Sequence, residues 1–291
     1  MTSQDNLDST TARLVRAVLC VFVVVVAAAI TPFTEDPTNV VKRLIVQWFA
    51  FLAFGVLAAG NAIERRPFVW PRIGFRIVLA FTALNVIAAL VSDYPANSIE
   101  SAKTFIALAA LYFTAANAVR NEGQLRTILW AVCVGVAIGS AYAFIQKVGL
   151  DPFPWEDKSG DTYTHLPGTF GNPNIAGHAL VIAIISACYL ASSQFRPRAH
   201  AIEPCGAAAL GCAAPIALGC GAPIALARVL APAALMLLFL THLYFTGYRA
   251  GPIALAAAAF AALYRRLPGG ASYPQGEGEA PAGPRPRASL Y

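Results

Sequence analysis

The sequence predicts an all-α fold, a polytopic transmembrane helix bundle of about eight spans, or nine if residues 206–226 also cross. Three observations carry this expectation. The 291 residues are 57% hydrophobic and 12% charged, whereas a soluble domain has about a quarter charged residues. The charges cluster between apolar runs of about 15–20 residues, the length that crosses a hydrocarbon core of about 30 Å. In lipid, each run must satisfy its backbone polar groups internally, which a helix does.

The spans are placed at about 14–33, 44–63, 73–92, 103–119, 126–146, 174–193, 229–247 and 250–266. The first has Arg13 and Arg16 ahead of an apolar stretch ending in three alanines, the outline of a signal peptide. Further apolar runs follow, so it reads as a retained span. Residues 1–13 form the N-terminal segment and 14–266 the membrane domain, with an external loop at 147–173. Residues 204–228, containing GCAAPIAL and then GCGAPIAL, form an irregular Ala/Gly/Pro block with Pro215 and Pro223. Residues 267–291 are rich in Pro, Gly and Ala without periodicity and read as a disordered tail.

Basic residues set the orientation. Arg13, Arg16, Arg65, Arg66, Arg72, Arg76, Arg120, Arg126, Arg196 and Arg198 fall on one side, ten against five. The other side has Lys42, Arg43, Lys103, Lys147 and Lys158. The positive-inside rule then puts the N-terminus in the cytoplasm and the 147–173 loop outside. If the 204–228 block does not cross, Arg265 and Arg266 also lie inside.

The net charge of +6 therefore reports topology and gives no reason to expect nucleic acid. Cys20, Cys133, Cys188, Cys205, Cys212 and Cys220 include no CxxC pair; they read as small buried hydrophobes, and neither a metal nor a cofactor is expected. All fifteen acidic residues fall in loops or tails on this span map. An ion-coupled transporter usually places a carboxylate within the membrane, so that class is disfavoured.

Two stretches stand out. In GTFGNPNIAGHAL (168–180), Asn174 reads as a helix N-cap after Pro173, with Gly171 making a tight turn. His178, four residues on, shares a side of the helix with Asn174. Two readings stand here: a plain cap, or the rim of a site where the helix N-terminus meets a phosphate. In YFTGYRAGPIAL (244–255), Arg249 is the only charge between Arg228 and Arg265 and lies between Gly247 and Gly251. It serves either as a snorkelling side chain or as a fixed donor fork for phosphate oxygens.

Together these stretches resemble the O-antigen ligase and O-antigen polymerase superfamily of bacterial envelope enzymes. That family shows a GTFGNPN segment opening a helix, here residues 168–174, and later a TGSRG-like segment, here Thr246-Gly247-Tyr248-Arg249-Ala250-Gly251. The stretches SDYPANSIESAKTF (92–105) and AYAFIQKVGLDPFPW (141–155) are also similar, and the likeness covers roughly residues 40–266.

The resemblance implies a multi-pass protein of the bacterial cytoplasmic (inner) membrane that moves a glycan from undecaprenyl diphosphate to a hydroxyl acceptor. The acceptor is a lipid A core, a polysaccharide or a protein. Arg249 matches the family's arginine and would bind the diphosphate, with Asn172 and Asn174 supporting it. His165 occupies the region where the family has an arginine, and His165 and His178 are the candidates for catalysis. Tyr248 replaces a serine. The family also has a large external loop with an essential histidine; this chain instead continues into the Pro/Gly/Ala tail, so a C-terminally truncated enzyme is expected. The alternatives are a transporter or flippase for lipid-linked glycans, and a non-catalytic remnant or partner subunit.

Overall fold

The computed structural model describes residues 9–31, 38–70, 74–151, 166–194, 222–248 and 250–264. Its elements are α1 (Thr10–Ala28), α2 (Asn39–Glu64), α3 (Gly74–Leu90), α4 (Pro95–Ala118), α5 (Glu122–Lys147), a 3-10 turn (Gly168–Phe170), α6 (Pro173–Gln194), α7 (Ala222–Thr246) and α8 (Ala250–Tyr264). Each expected span thus finds a helix. Five of them, α1, α2, α4, α5 and α6, are long and apolar enough to cross a membrane. By that measure α3, with 17 residues, α8, with 15, and Leu230–Thr246 of α7 are shorter.

The helix ends differ from the hydropathy map for local reasons. Chain geometry ends α1 at Ala28, because Ala29 is extended at φ −65° and ψ 129°. Helix α4 begins at Pro95, with Pro in the first turn, where its missing N–H costs nothing. Glu100 is therefore on a helix, bonded to Lys103 at 2.5 Å, and not in a loop. Helix α7 starts at Ala222, so the last residues of the expected irregular block are helical. Residues 204–221 of that block, and the 267–291 tail, lie outside the described residues.

Residues up to Gly251 form one unit and those from Pro252 onward another. Within the first, α1 is central and packs against α2, α4 and α5; α3 lies on α4, α4 on α2, and α6 between α5 and α7. Val15, Leu19, Ala53, Leu57, Ala107 and Leu111 form one core among α1, α2 and α4. At the α1–α5 crossing, a Cβ on Gly135 would lie 3.0 Å from the Ala27 methyl, a close approach of the kind small residues permit between membrane helices. Leu44, Trp48, Phe51 and Leu52 on α2 are exposed, the arrangement expected of a lipid-facing surface. In the second unit, α8 continues as an apolar helix with Ile253 exposed.

Side-chain bonds mark two faces. On the N-terminal face, the Thr11 hydroxyl donates to Glu64 at 2.6 Å, Arg16 to the Ala118 carbonyl at 3.0 Å, and Tyr189 to Glu122 at 3.0 Å. On the opposite face, Thr169 donates to the Ala27 carbonyl at 2.6 Å and Gln47 to Thr104 at 3.2 Å. The cysteines do not all behave as small buried hydrophobes: Cys133 is buried, Cys20 half-buried and Cys188 exposed.

Candidate functional site

The site is built on the strap Leu166–Phe170 and the start of α6. Every residue from Leu166 to Phe170 is buried. Gly168 and Gly171 bracket the 3-10 turn at φ +56° and +72°, values that suit glycine. A side chain would also have no room: a Cβ on Gly168 would lie 2.5 Å from the Gly139 carbonyl oxygen, and one on Gly171 would overlap the Thr38 hydroxyl. The Thr169 hydroxyl fastens the turn to the C-terminal end of α1. Lys42 donates to the Val26 carbonyl at 3.0 Å, a cation at a helix C-terminus, and its Nζ stands 5.1 Å from the Phe170 ring centre.

The cap of α6 is Asn172 and not Asn174. The Asn172 carbonyl accepts from Ala176 N at 2.9 Å and its side chain accepts from Asn174 N at 2.8 Å. Pro173 is then the first helical residue, a position proline favours. The cap bond uses the Asn174 N–H and Pro173 has none, so the local helix start already satisfies groups that a phosphate would otherwise meet.

His178 carries the contact between the two singled-out stretches. Its Nδ1 donates to the Asn174 carbonyl at 2.7 Å, because a carbonyl only accepts. In the neutral ring Nε2 is then an acceptor, and it takes the Tyr248 hydroxyl at 2.9 Å. The two rings lie with centres 5.0 Å apart. Tyr248 packs directly over Gly177, where a Cβ would overlap its ring. The structure thereby brings Asn174, Gly177 and His178 at the start of α6 against Tyr248, just beyond the end of α7. Arg249 and His165 lie outside the described residues.

A second histidine sits deeper. His242 on α7 is fully buried; its Nε2 donates to the Leu166 carbonyl at 3.2 Å and its Nδ1 accepts from the Ser140 hydroxyl at 2.8 Å. It holds the strap to α5 and α7, helped by Leu166 N donating to the Phe245 carbonyl at 3.4 Å. Sequence reading gave His242 no role, since nothing in its local spacing points to Ser140 or to the strap. At the end of α5, Tyr142 and Gln146 donate to the two Asp151 oxygens at 2.8 and 2.9 Å, fixing how the chain leaves the helix.

On this same face, Asn85, Ser92, Asn97, Ser98 and Ser101 are the polar half of the lining of an open recess of about 380 Å³ between α3 and α4, with alanines and Phe105 as the other half. Four of these five belong to the 92–105 stretch. Among the described residues, no three His, Cys, Asp or Glu side chains gather as a metal ion requires. No family model, curated protein or solved structure matches the chain.

Proposed function

We propose that the chain is a multi-pass glycan transferase of the O-antigen ligase type, acting at the outer face of the bacterial cytoplasmic membrane with its N-terminus and the N-terminal face in the cytoplasm. All eight helices cross in this reading. The glycan comes from undecaprenyl diphosphate and goes to a hydroxyl acceptor on a lipid A core, a polysaccharide or a protein. The observation that supports the reading is the hydrogen bond from Tyr248, within the TGSRG-like segment although it replaces the family's serine, to His178, four residues beyond GTFGNPN, which sets the two stretches side by side across 70 residues of sequence. The recess at 92–105, lined half by polar and half by apolar groups, adds a third such stretch on that face.

The chemistry assigns one task to each partner. The acceptor oxygen attacks the anomeric carbon, the bond from that carbon to the diphosphate oxygen breaks, and undecaprenyl diphosphate leaves. Arg249, next in sequence to Tyr248, neutralises charge growing on the leaving oxygen. In place of the histidine that the family carries in its external loop, His178, oriented through Nδ1 by the Asn174 carbonyl, takes the acceptor's proton through the Tyr248 hydroxyl. Asn172 and Asn174 hold the start of α6 that positions this base.

The test is complementation. In a bacterial strain lacking its O-antigen ligase or polymerase, the wild-type chain should restore surface glycan, whereas Arg249→Ala and His178→Ala, expressed at the same level, should not. Carrier lipid moving across the membrane without a new glycosidic bond would favour a flippase. Restoration by both variants would remove the enzymatic reading.

A further inference from the structure

The turn from α3 into α4 leaves a recess to which the transfer chemistry assigns no task. Its volume, about 380 Å³, falls within the range of about 300–1,000 Å³ usual for small-molecule sites. Asn85 on α3, Ser92 in the connection, and Asn97, Ser98 and Ser101 on α4 supply its polar groups. Ala89 and Ala102, both buried, and the Phe105 ring form its apolar side. That ring is held edge-on against Phe81, with centres 5.4 Å apart. Among the described residues lining the recess there is no lysine, arginine, aspartate or glutamate. Glu100 and Lys103, also on α4, pair with each other.

The polar groups keep bonding capacity that the fold does not use. Ser92 Oγ accepts from Ser98 Oγ at 2.7 Å and from Tyr94 N at 3.1 Å, which leaves its own proton to donate. Ser101 Oγ donates to the Asn97 carbonyl at 3.1 Å and retains its lone pairs. Asn85 gives one amide proton to the Phe81 carbonyl at 2.8 Å, leaving its second proton and its carbonyl oxygen. The exposed Asn97 side chain makes no hydrogen bond to any described residue. Donors and acceptors thus stand together beside an apolar wall.

This lining discriminates between ligand classes. A phosphate or carboxylate would find no cation to pair with. A hydrocarbon chain would leave two amides and three hydroxyls facing apolar groups, a costly arrangement. An uncharged sugar ring matches both halves, because each of its hydroxyls donates and accepts while its C–H faces are apolar. We propose, resting on the glycan-transfer reading, that the recess is a subsite for one uncharged sugar ring of the donor or the acceptor glycan. Asn85, Asn97 and the serines hold its hydroxyls, and a C–H face lies on Ala102 and Phe105.

The experiment uses the full chain purified in a detergent without a sugar head group. Binding of the methyl glycosides of glucose, galactose, mannose, rhamnose and N-acetylglucosamine is read by saturation-transfer NMR, with glucuronate as the charged comparison. At least one neutral glycoside should bind with a Kd of roughly 1–10 mM, the weak affinity of a single ring. Asn97→Ala should weaken binding about five- to tenfold, the loss of one or two neutral hydrogen bonds. Ser101→Trp, which fills the recess, should abolish it; Asn97→Ala keeps the test decisive if that variant fails to fold. The subsite is overturned if no neutral glycoside binds, if glucuronate binds as tightly, or if Asn97→Ala binds like the wild type. Transfer is measured separately on the same preparations. There Asn97→Ala should raise KM for the carrier-linked glycan if the recess holds the donor, or for the acceptor if it holds the acceptor, with kcat little changed. Sugar binding without any transfer product would uphold the sugar site and remove the enzyme; transfer without sugar binding would do the reverse.

Discussion

Gly168 and Gly171 make the sharpest demands on the chain at the residue scale. Each combines a left-handed backbone with a neighbour where a Cβ would sit, so alanine meets strain in both backbone and packing. Gly171→Ala should cost about 1–3 kcal/mol, read as a lower thermal midpoint of the protein in detergent micelles; an unchanged midpoint would show that the turn relaxes. The sequence already marked Gly171 as a turn residue. It could not show that Thr38, far away in the chain, occupies the space beside it. The Tyr248–His178 pair was illegible for the same reason, since its partners meet only after α6 and α7 pack. Gly177, a small residue on the crossing surface, was the one available hint.

The start of α6 shows how local signals compete at the scale of the element. Asn172 and Asn174 are both good cap residues, and the structure puts the cap at Asn172 where the sequence predicts Asn174. The decisive signal was Pro173, which belongs at the first helical position and so makes the residue before it the cap. Asn172→Ala should therefore destabilise by about 1 kcal/mol, while Asn174→Ala, which leaves the cap side chain in place, should cost clearly less in the same melting experiment. The reverse order would return the cap to Asn174. Hydropathy located each α-helix among the described residues but misplaced ends where polar residues form a first turn, as at Pro95 in α4. There the chain becomes helical before it becomes apolar.

The apolar runs and the loop charges carry most of the architecture at the scale of the whole molecule. Alternating helices gather Thr10, Glu64 and Ala118 at one face and the strap and the start of α6 at the other. The proposed orientation puts Val148 outside and Asn121 inside. With the native cysteines replaced, Val148→Cys should react with a membrane-impermeant maleimide applied to intact spheroplasts, and Asn121→Cys should react only after lysis. The opposite pattern would invert the protein and move the His178 face away from the outer surface.

The most direct measurement of the central claim is glycan transfer in proteoliposomes holding the purified chain, a radiolabelled glycan on undecaprenyl diphosphate, and lipid A core as acceptor. Labelled acceptor and free undecaprenyl diphosphate should form in equal amounts, with Arg249→Ala slowing turnover by about a hundredfold or more, as expected for loss of a donor to the leaving group. A wild type that formed no labelled product with lipid A core, polysaccharide or protein acceptors offered in turn, or an Arg249→Ala variant as fast as the wild type, would contradict glycan transfer at this site.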